Sequence, residues 1–218
     1  MSLIIGITGS IAAGKSSLCK QLVEEHGAVH VDADREIHHL YAPGTPGFDR
    51  VTAEFGIEIV GTDGIIDRRK LGALVFGNPE RMEALRTAIG DISAHFMRLL
   101  KEWQASLADE IGIFEAVNLL QNDYMTHCDA AWLVVCEDET AVVRMMVSRE
   151  LSREEAEQRL ASARDWRESA PLSDCVFHND RTLGEFHDKV EKAFNDTVYL
   201  NGAGALLKPR WHTARNSS

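Results

Sequence analysis

A chain of 218 residues with 44% hydrophobic and 26% charged residues can bury a sizeable core, enough for one domain or one domain with an inserted subdomain. Its formal net charge of −11 offers nucleic-acid phosphates no chain-wide attraction. Any phosphate binding must therefore be local, through backbone amides, a few basic side chains and a metal. No stretch approaches the roughly 20 apolar residues that span a bilayer, and Met1-Ser2-Leu3 carries no basic region ahead of an apolar one, so neither a membrane span nor a secretory signal is expected.

In chain order, the apolar run Leu3 to Ile7 predicts a buried parallel strand, stopped by Thr8-Gly9. Lys15 to Glu25 has helical spacing at Leu18, Leu22 and Val23, and ends near Gly27. Ala28 to Val31 reads as a second strand, followed by Asp32-Ala33-Asp34 and a helix from Arg35 to the loop Ala42 to Gly47. Phe48 to Phe55 and Arg68 to Phe76 read as helices on either side of a turn at Gly61 to Gly64. Asn78-Pro79-Glu80 has the chemistry of a helix start. One apolar stripe then runs through Met82, Leu85, Ile89, Ile92, Phe96 and Leu99 to about Leu107, with Gly90-Asp91 as a bend.

Three strands follow, at Ile111 to Phe114, Ala131 to Val135 and Cys175 to Phe177. Between the last two lie a helix from Glu139 to Arg149 and another that starts at Ser152, where Ser152-Arg153-Glu154-Glu155 has the form of a capping box. Leu183 to Leu200 is a last amphipathic helix, and 208–218 is expected to be a disordered tail. Five strands alternating with helices imply an α/β fold, a parallel sheet covered on both faces. The four cysteines (Cys19, Cys128, Cys136, Cys175) show no CxxC spacing and read as free thiols of a reducing, cytoplasmic compartment. The histidines lack an HExxH motif and read as holding no metal.

The most specific signal is Gly9-Ser10-Ile11-Ala12-Ala13-Gly14-Lys15-Ser16, which fits GxxxxGKS between the first strand and the first helix. The glycines permit a tight turn that aims successive N–H groups at phosphate oxygens, and the helix start adds its dipole. Lys15 can reach the β- and γ-phosphates, and the Ser16 hydroxyl can ligate Mg²⁺. Ser17 continues the cradle. No NKxD signature accompanies the loop, and the length leaves little room for a motor's machinery, so a small-molecule kinase using ATP is the economical reading.

A kinase also needs a carboxylate to take the acceptor's proton. Asp32 and Asp34, beyond the second strand, are candidates for that task, and Asp34 is alternatively the cap of the helix beginning at Arg35. Glu115, at the end of the third strand, is a candidate Mg²⁺ ligand through water. Arg144, Arg149, Arg153, Arg159, Arg164 and Arg167 form a cationic series. Cations of this kind can stabilise the transferring phosphoryl group, whereas Arg153 and Arg159 read as a solvated helix face.

The segments GITGSIAAGKSS, VDADREIH, Pro43 to Pro46, Asp63 to Glu80 and Leu151 to Leu160 resemble the dephospho-coenzyme A kinase family over about Leu3 to Phe194. The resemblance implies a P-loop kinase fold and phosphorylation by ATP of the ribose 3′-hydroxyl of dephospho-CoA. It implies a catalytic carboxylate at Asp34, a lid-entry arginine at Arg149 and an adenine-facing loop at His178. It also implies a single kinase domain over 1–207, with a helical acceptor-binding part at about 35–107 and a lid at about 149–170. The chain differs from the family pattern at Gly90-Asp91, where a His-Pro pair is usual, and along Glu115 to Gln121, where D-x-P-L-L-F-E is usual. It also has Ala163 in place of a lid Gln and Phe177-His178-Asn179 in place of I-D-N. Because two of these departures fall on the acceptor side, another small hydroxyl acceptor and a non-catalytic nucleotide-binding regulator stay open as readings. No nucleic-acid or membrane partner is expected, and the oligomeric state stays open.

Overall fold

The computed structural model describes residues 3–106 and 110–202, so the tail expected at 208–218 lies outside the described residues. Five strands form one parallel sheet in the order β2-β3-β1-β4-β5. They are β1 (Leu3–Gly9), β2 (Val29–Asp32), β3 (Ile111–Glu115), β4 (Ala130–Val135) and β5 (Cys175–His178). The central strand β1 pairs with β3 on one side, with Ile7 opposite Glu115, and with β4 on the other, with Gly9 opposite Val134. The strand order therefore reverses at β1, and in such sheets the carboxyl end of that strand opens onto the ligand crevice.

Burial explains why these short runs are strands rather than helices. Six of the seven residues of β1 and all six of β4 are buried, as expected for parallel strands covered on both faces. On one face the odd residues of β1 (Leu3, Ile5, Ile7) join Leu18 and Leu22 of α1 (Lys15–His26) and Phe186, Val190 and Phe194 of the C-terminal helix. On the other, Gly6 leaves room for Leu119, Met125 and Cys128: a Cβ there would stand 2.7 Å from a Leu119 methyl. Two short 3₁₀ turns, Leu119–Gln121 and Asp123–His127, supply Leu119 and Met125, with Cys128 directly after the second, and no sequence periodicity announces them.

The chain divides into two compact units, one being Asp32–Arg98 and the other the described residues on either side of it. The Asp32–Arg98 unit holds α2 (Ala33–Leu40), α3 (Pro46–Phe55), α4 (Arg68–Val75), α5 (Pro79–Ile89) and the start of α6 (Ile92–Ser106). Its own core gathers Tyr41, Val51, Phe55, Ile59, Leu71, Val75 and Ile89. Local chemistry sets its helix starts: Thr45, Asp67 and Asn78 each cap a helix through a side-chain oxygen. The bend expected at Gly90-Asp91 is instead a break. Gly90 takes φ +107, and the Asp91 carboxylate accepts from the Ala94 N–H at 2.9 Å, starting a new helix.

The remaining helices are α7 (Asp138–Arg149), α8 (Arg153–Ala161) and α9 (Leu183–Gly202). Between α7 and α8 the chain reverses through Glu150 in the left-handed region, and Ser152 and Glu155 complete the expected capping box. No helix among the described residues is long and apolar enough to cross a membrane.

Candidate active site

The loop from Gly9 to Ser16 leaves the carboxyl end of β1 and enters α1. Gly9 is required by close approach, because a Cβ there would meet the Val134 carbonyl oxygen at 2.1 Å. The Ser10 N–H donates to that same oxygen at 2.9 Å, which ties the loop's first residue to β4. Ala12 at φ +54 and Gly14 at φ +101 are both left-handed, so the backbone turns twice within three residues. Such a turn converges N–H groups into an anion-binding concavity ahead of the helix dipole. Strain of about 1–3 kcal/mol at such a position persists only where the surroundings hold it. Burial of Ala13, Leu18 and Leu22 supplies part of that hold, at about 1.5–3 kcal/mol for each leucine. Ile11 and Ala12 anchor the loop's other side, packed against Val142, Met145 and Ala156 of α7 and α8.

Two polar residues from far along the chain complete the scaffold. Arg144 of α7 donates to the carbonyls of Ala12 (3.3 Å), Ala13 (3.4 Å) and Asn179 (2.8 Å). The buried Asn179 amide donates to the Ala13 carbonyl at 2.8 Å. These bonds fix the Ala12 and Ala13 carbonyls of the loop in place. Sequence reasoning placed Arg144 only within a series of cations and passed over Asn179 in favour of its neighbour. An Arg on the helix after β4 and an Asn directly after β5 were the available signals.

Lys15, at the start of α1, donates from Nζ to the carbonyls of Gly9 and Ser10, both at 3.2 Å. Ser16 is exposed and Ser17 half-buried in the same helical turn. Arg149 reaches this neighbourhood: a cavity of about 470 Å³ is lined by Gly14, Lys15, Ser16, Arg144 and Arg149. A second cavity of about 340 Å³ lies on the other side of the loop, lined by Ser10, Ile11, Cys136, Arg164 and Trp166 among others. Ala163 lines this second cavity too. His178 is exposed at the end of β5, its ring edge-on to Trp166 at 5.7 Å, while Asn179 is the residue that touches the loop. Arg153 is engaged by Glu139 at 2.7 Å and by Glu157 at 3.4 Å on an exposed face.

Glu115 is buried beside β1, at 7% exposure. Burial alone would raise its carboxyl, but hydrogen bonds from His30 and Cys19 and the charge of Lys15 hold it below the ordinary glutamate range. It is therefore an ionised, largely desolvated carboxylate close to Lys15. With the Ser16 hydroxyl it offers the hard oxygen donors that Mg²⁺ takes, so the residues fit that ion.

In the Asp32–Arg98 unit, Asp32 rather than Asp34 caps the helix. The Asp32 carboxylate accepts from the N–H groups of Asp34 (3.0 Å) and Arg35 (3.2 Å). The helix begins at Ala33, earlier than its apolar pattern suggests, and the capping task passes to the residue before it. Asp34 thus lies in the first turn, with its carboxylate relieved of capping and near enough to His38 to act on its charge.

A buried parallel sheet whose central strand feeds a left-handed glycine loop and a helix with Lys-Ser at its start defines a P-loop phosphotransferase of the kinase type. The particular family follows from comparison. A sequence profile described as dephospho-CoA kinase matches residues 3–185, and the chain belongs to that family. It is 35% identical over 192 residues to a dephospho-CoA kinase of Symbiobacterium thermophilum, covering 88% of this chain and 80% of that one. A Streptomyces avermitilis dephospho-CoA kinase is 34% identical, over 90% of this chain and 95% of the relative. Among solved structures, a Thermus thermophilus protein superposes with a TM-score of 0.71 at 26% identity, over 89% of this chain and 97% of that one. A dephospho-CoA kinase from Campylobacter jejuni superposes at 0.62 with 21% identity, covering 90% and 97%, a likeness of fold.

Proposed function

We propose that the protein transfers the γ-phosphoryl group of ATP to the 3′-hydroxyl of dephospho-CoA, yielding CoA and ADP in the cytoplasm. The observation that carries the donor half is the loop from Gly9 to Ser16, held by Arg144 and Asn179 with Lys15, Ser16 and Arg149 around one cavity. Family membership carries the acceptor half.

Backbone N–H groups of the loop and the start of α1 bind the phosphates, and Lys15 leaves its carbonyl partners to meet the β- and γ-oxygens. Arg149, five residues along α7 from the anchored Arg144, neutralises charge on the transferring group. Asp34 receives the proton of the attacking hydroxyl. Ser16 directly, and Glu115 through water, would hold Mg²⁺, which when bound shields the β- and γ-phosphate charge. His178 and the neighbouring Trp166 border the base side. The helical part at about 35–107 is the proposed acceptor-binding part, and about 149–170 the proposed lid.

Purified protein incubated with ATP, Mg²⁺ and dephospho-CoA is expected to form ADP and CoA in equal amounts. ADP formation only with a different hydroxyl compound would overturn the acceptor assignment. Thermal stabilisation by ATP with no turnover on any acceptor would overturn the enzymatic one.

A further inference from the structure

Three donors of mixed chemistry meet on the face of the sheet covered by α1, contributed by three separate elements. They are the Cys19 thiol from α1, the His30 imidazole from β2 and the Glu115 carboxylate from β3. Their ligand atoms all lie within 4.8 Å of one another, and His30 Nε2 stands 3.2 Å from Glu115 Oε2. Donors sharing one tetrahedral ion at about 2.0–2.3 Å lie about 3.3–3.8 Å apart, so small rotamer adjustments bring this trio into coordination.

We propose that Cys19, His30 and Glu115 bind a borderline-soft divalent cation of the Zn²⁺ class, and that its occupancy withdraws Glu115 from Mg²⁺. The donor set selects the class: thiolate and imidazole suit Zn²⁺ and Co²⁺, whereas Mg²⁺ takes oxygen alone. Cys19 and Glu115 are 1% and 7% exposed, which gives a site with desolvated anionic ligands. His30 lies on the edge strand with its side chain 27% exposed, so the ion has an entry path and a fourth position for water. Binding releases the thiol proton to solvent, and the thiolate and carboxylate together balance the charge of the ion. Lys15, whose charge acts on Glu115, therefore faces a neutral centre rather than an added cation.

The test uses the metal-stripped full chain with Co²⁺ alone as an optical probe, followed by displacement with Zn²⁺. One equivalent is expected to bind with a near-ultraviolet thiolate-to-cobalt charge-transfer band. Cys19→Ser abolishes the band, and His30→Gln retains a band. Each variant lowers Zn²⁺ affinity by at least about 100-fold, since even partners outside the metal's own ligands are worth about 10–100-fold. Absence of the band in the unaltered protein, or unchanged Zn²⁺ affinity in either variant, overturns the site. The His30 variant stands at the exposed edge and keeps the test decisive if the buried Cys19 substitution prevents folding. The effect on turnover rests on the Mg²⁺ role of Glu115 and is read separately. Zn²⁺ at fixed Mg²⁺ is expected to inhibit the unaltered enzyme and to spare His30→Gln, and binding without inhibition overturns that consequence alone.

Discussion

Replacing Gly14 with alanine tests whether Asn179 and the left-handed backbone together hold the phosphate loop. At φ +101 an L side chain is strained, and the added Cβ would stand 2.5 Å from Asn179 Nδ2. That nitrogen has little freedom to retreat, being buried and bonded to the Ala13 carbonyl at 2.8 Å. Backbone strain costs about 1–3 kcal/mol, and giving up the Asn179 bond adds about 0.5–1.5 kcal/mol. A total of about 1.5–4.5 kcal/mol corresponds to ATP binding weakened by roughly 10- to 2,000-fold, measured by calorimetric titration. Asn179→Ala alone forfeits the same hydrogen bond without the strain, because the Ala13 carbonyl retains only the 3.4 Å contact from Arg144. In the double variant the bond is lost once rather than twice. The two effects should therefore fall short of additivity by about 0.5–1.5 kcal/mol. Additivity to within about 0.3 kcal/mol, or a Gly14→Ala protein that binds ATP within threefold of normal, would refute the reasoning.

Asp34→Asn is expected to bind ATP normally and to lose roughly 10²–10⁴-fold in kcat, as for removal of a general base; near-normal kcat would remove Asp34 from that role. Arg149→Ala should lower kcat by at least about 10-fold with little change in thermal stability, since its side chain is exposed, and an unchanged kcat would return it to the solvated surface. Arg144→Met should weaken ATP binding and lower the unfolding temperature together, because the Ala12 and Asn179 carbonyls lose a donor and the Ala13 carbonyl is left with that of Asn179 alone. For pH, burial would raise the Glu36 carboxyl, but hydrogen bonds from His39 and His95 hold it below the ordinary range. A depressed carboxylate contributes stability that is present above its unfolded pKa and lost as pH falls through the folded one. The stability difference between the unaltered protein and Glu36→Gln, measured by urea unfolding, should therefore shrink as pH drops below the ordinary glutamate range. A difference constant across that range would contradict the assignment.

The elements legible in the sequence are those whose causes are local. The phosphate loop announces itself because its chemistry needs glycines, a lysine and a serine at fixed spacing along one turn. Asn78 and the Ser152–Glu155 pair mark helix starts because a cap bonds within its own first turn. The apolar runs of β1 and β4 read as buried parallel strands because both of their faces are covered. A local signal with two uses is decided elsewhere: either Asp32 or Asp34 is able to cap, and the choice depends on the residue at which β2 stops.

Tertiary structure alone decided what holds the loop and what surrounds its carboxylate. Arg144 and Asn179 act on carbonyls 132 and 166 residues away, and no spacing rule connects them. Cys19, His30 and Glu115 belong to three elements and meet only because β3 lies between β1 and β2 in the sheet, beneath α1. The phosphate loop is written in consecutive residues because a tight turn is a property of the backbone. Its support is a property of strand order, which brings distant residues to the same end of a sheet.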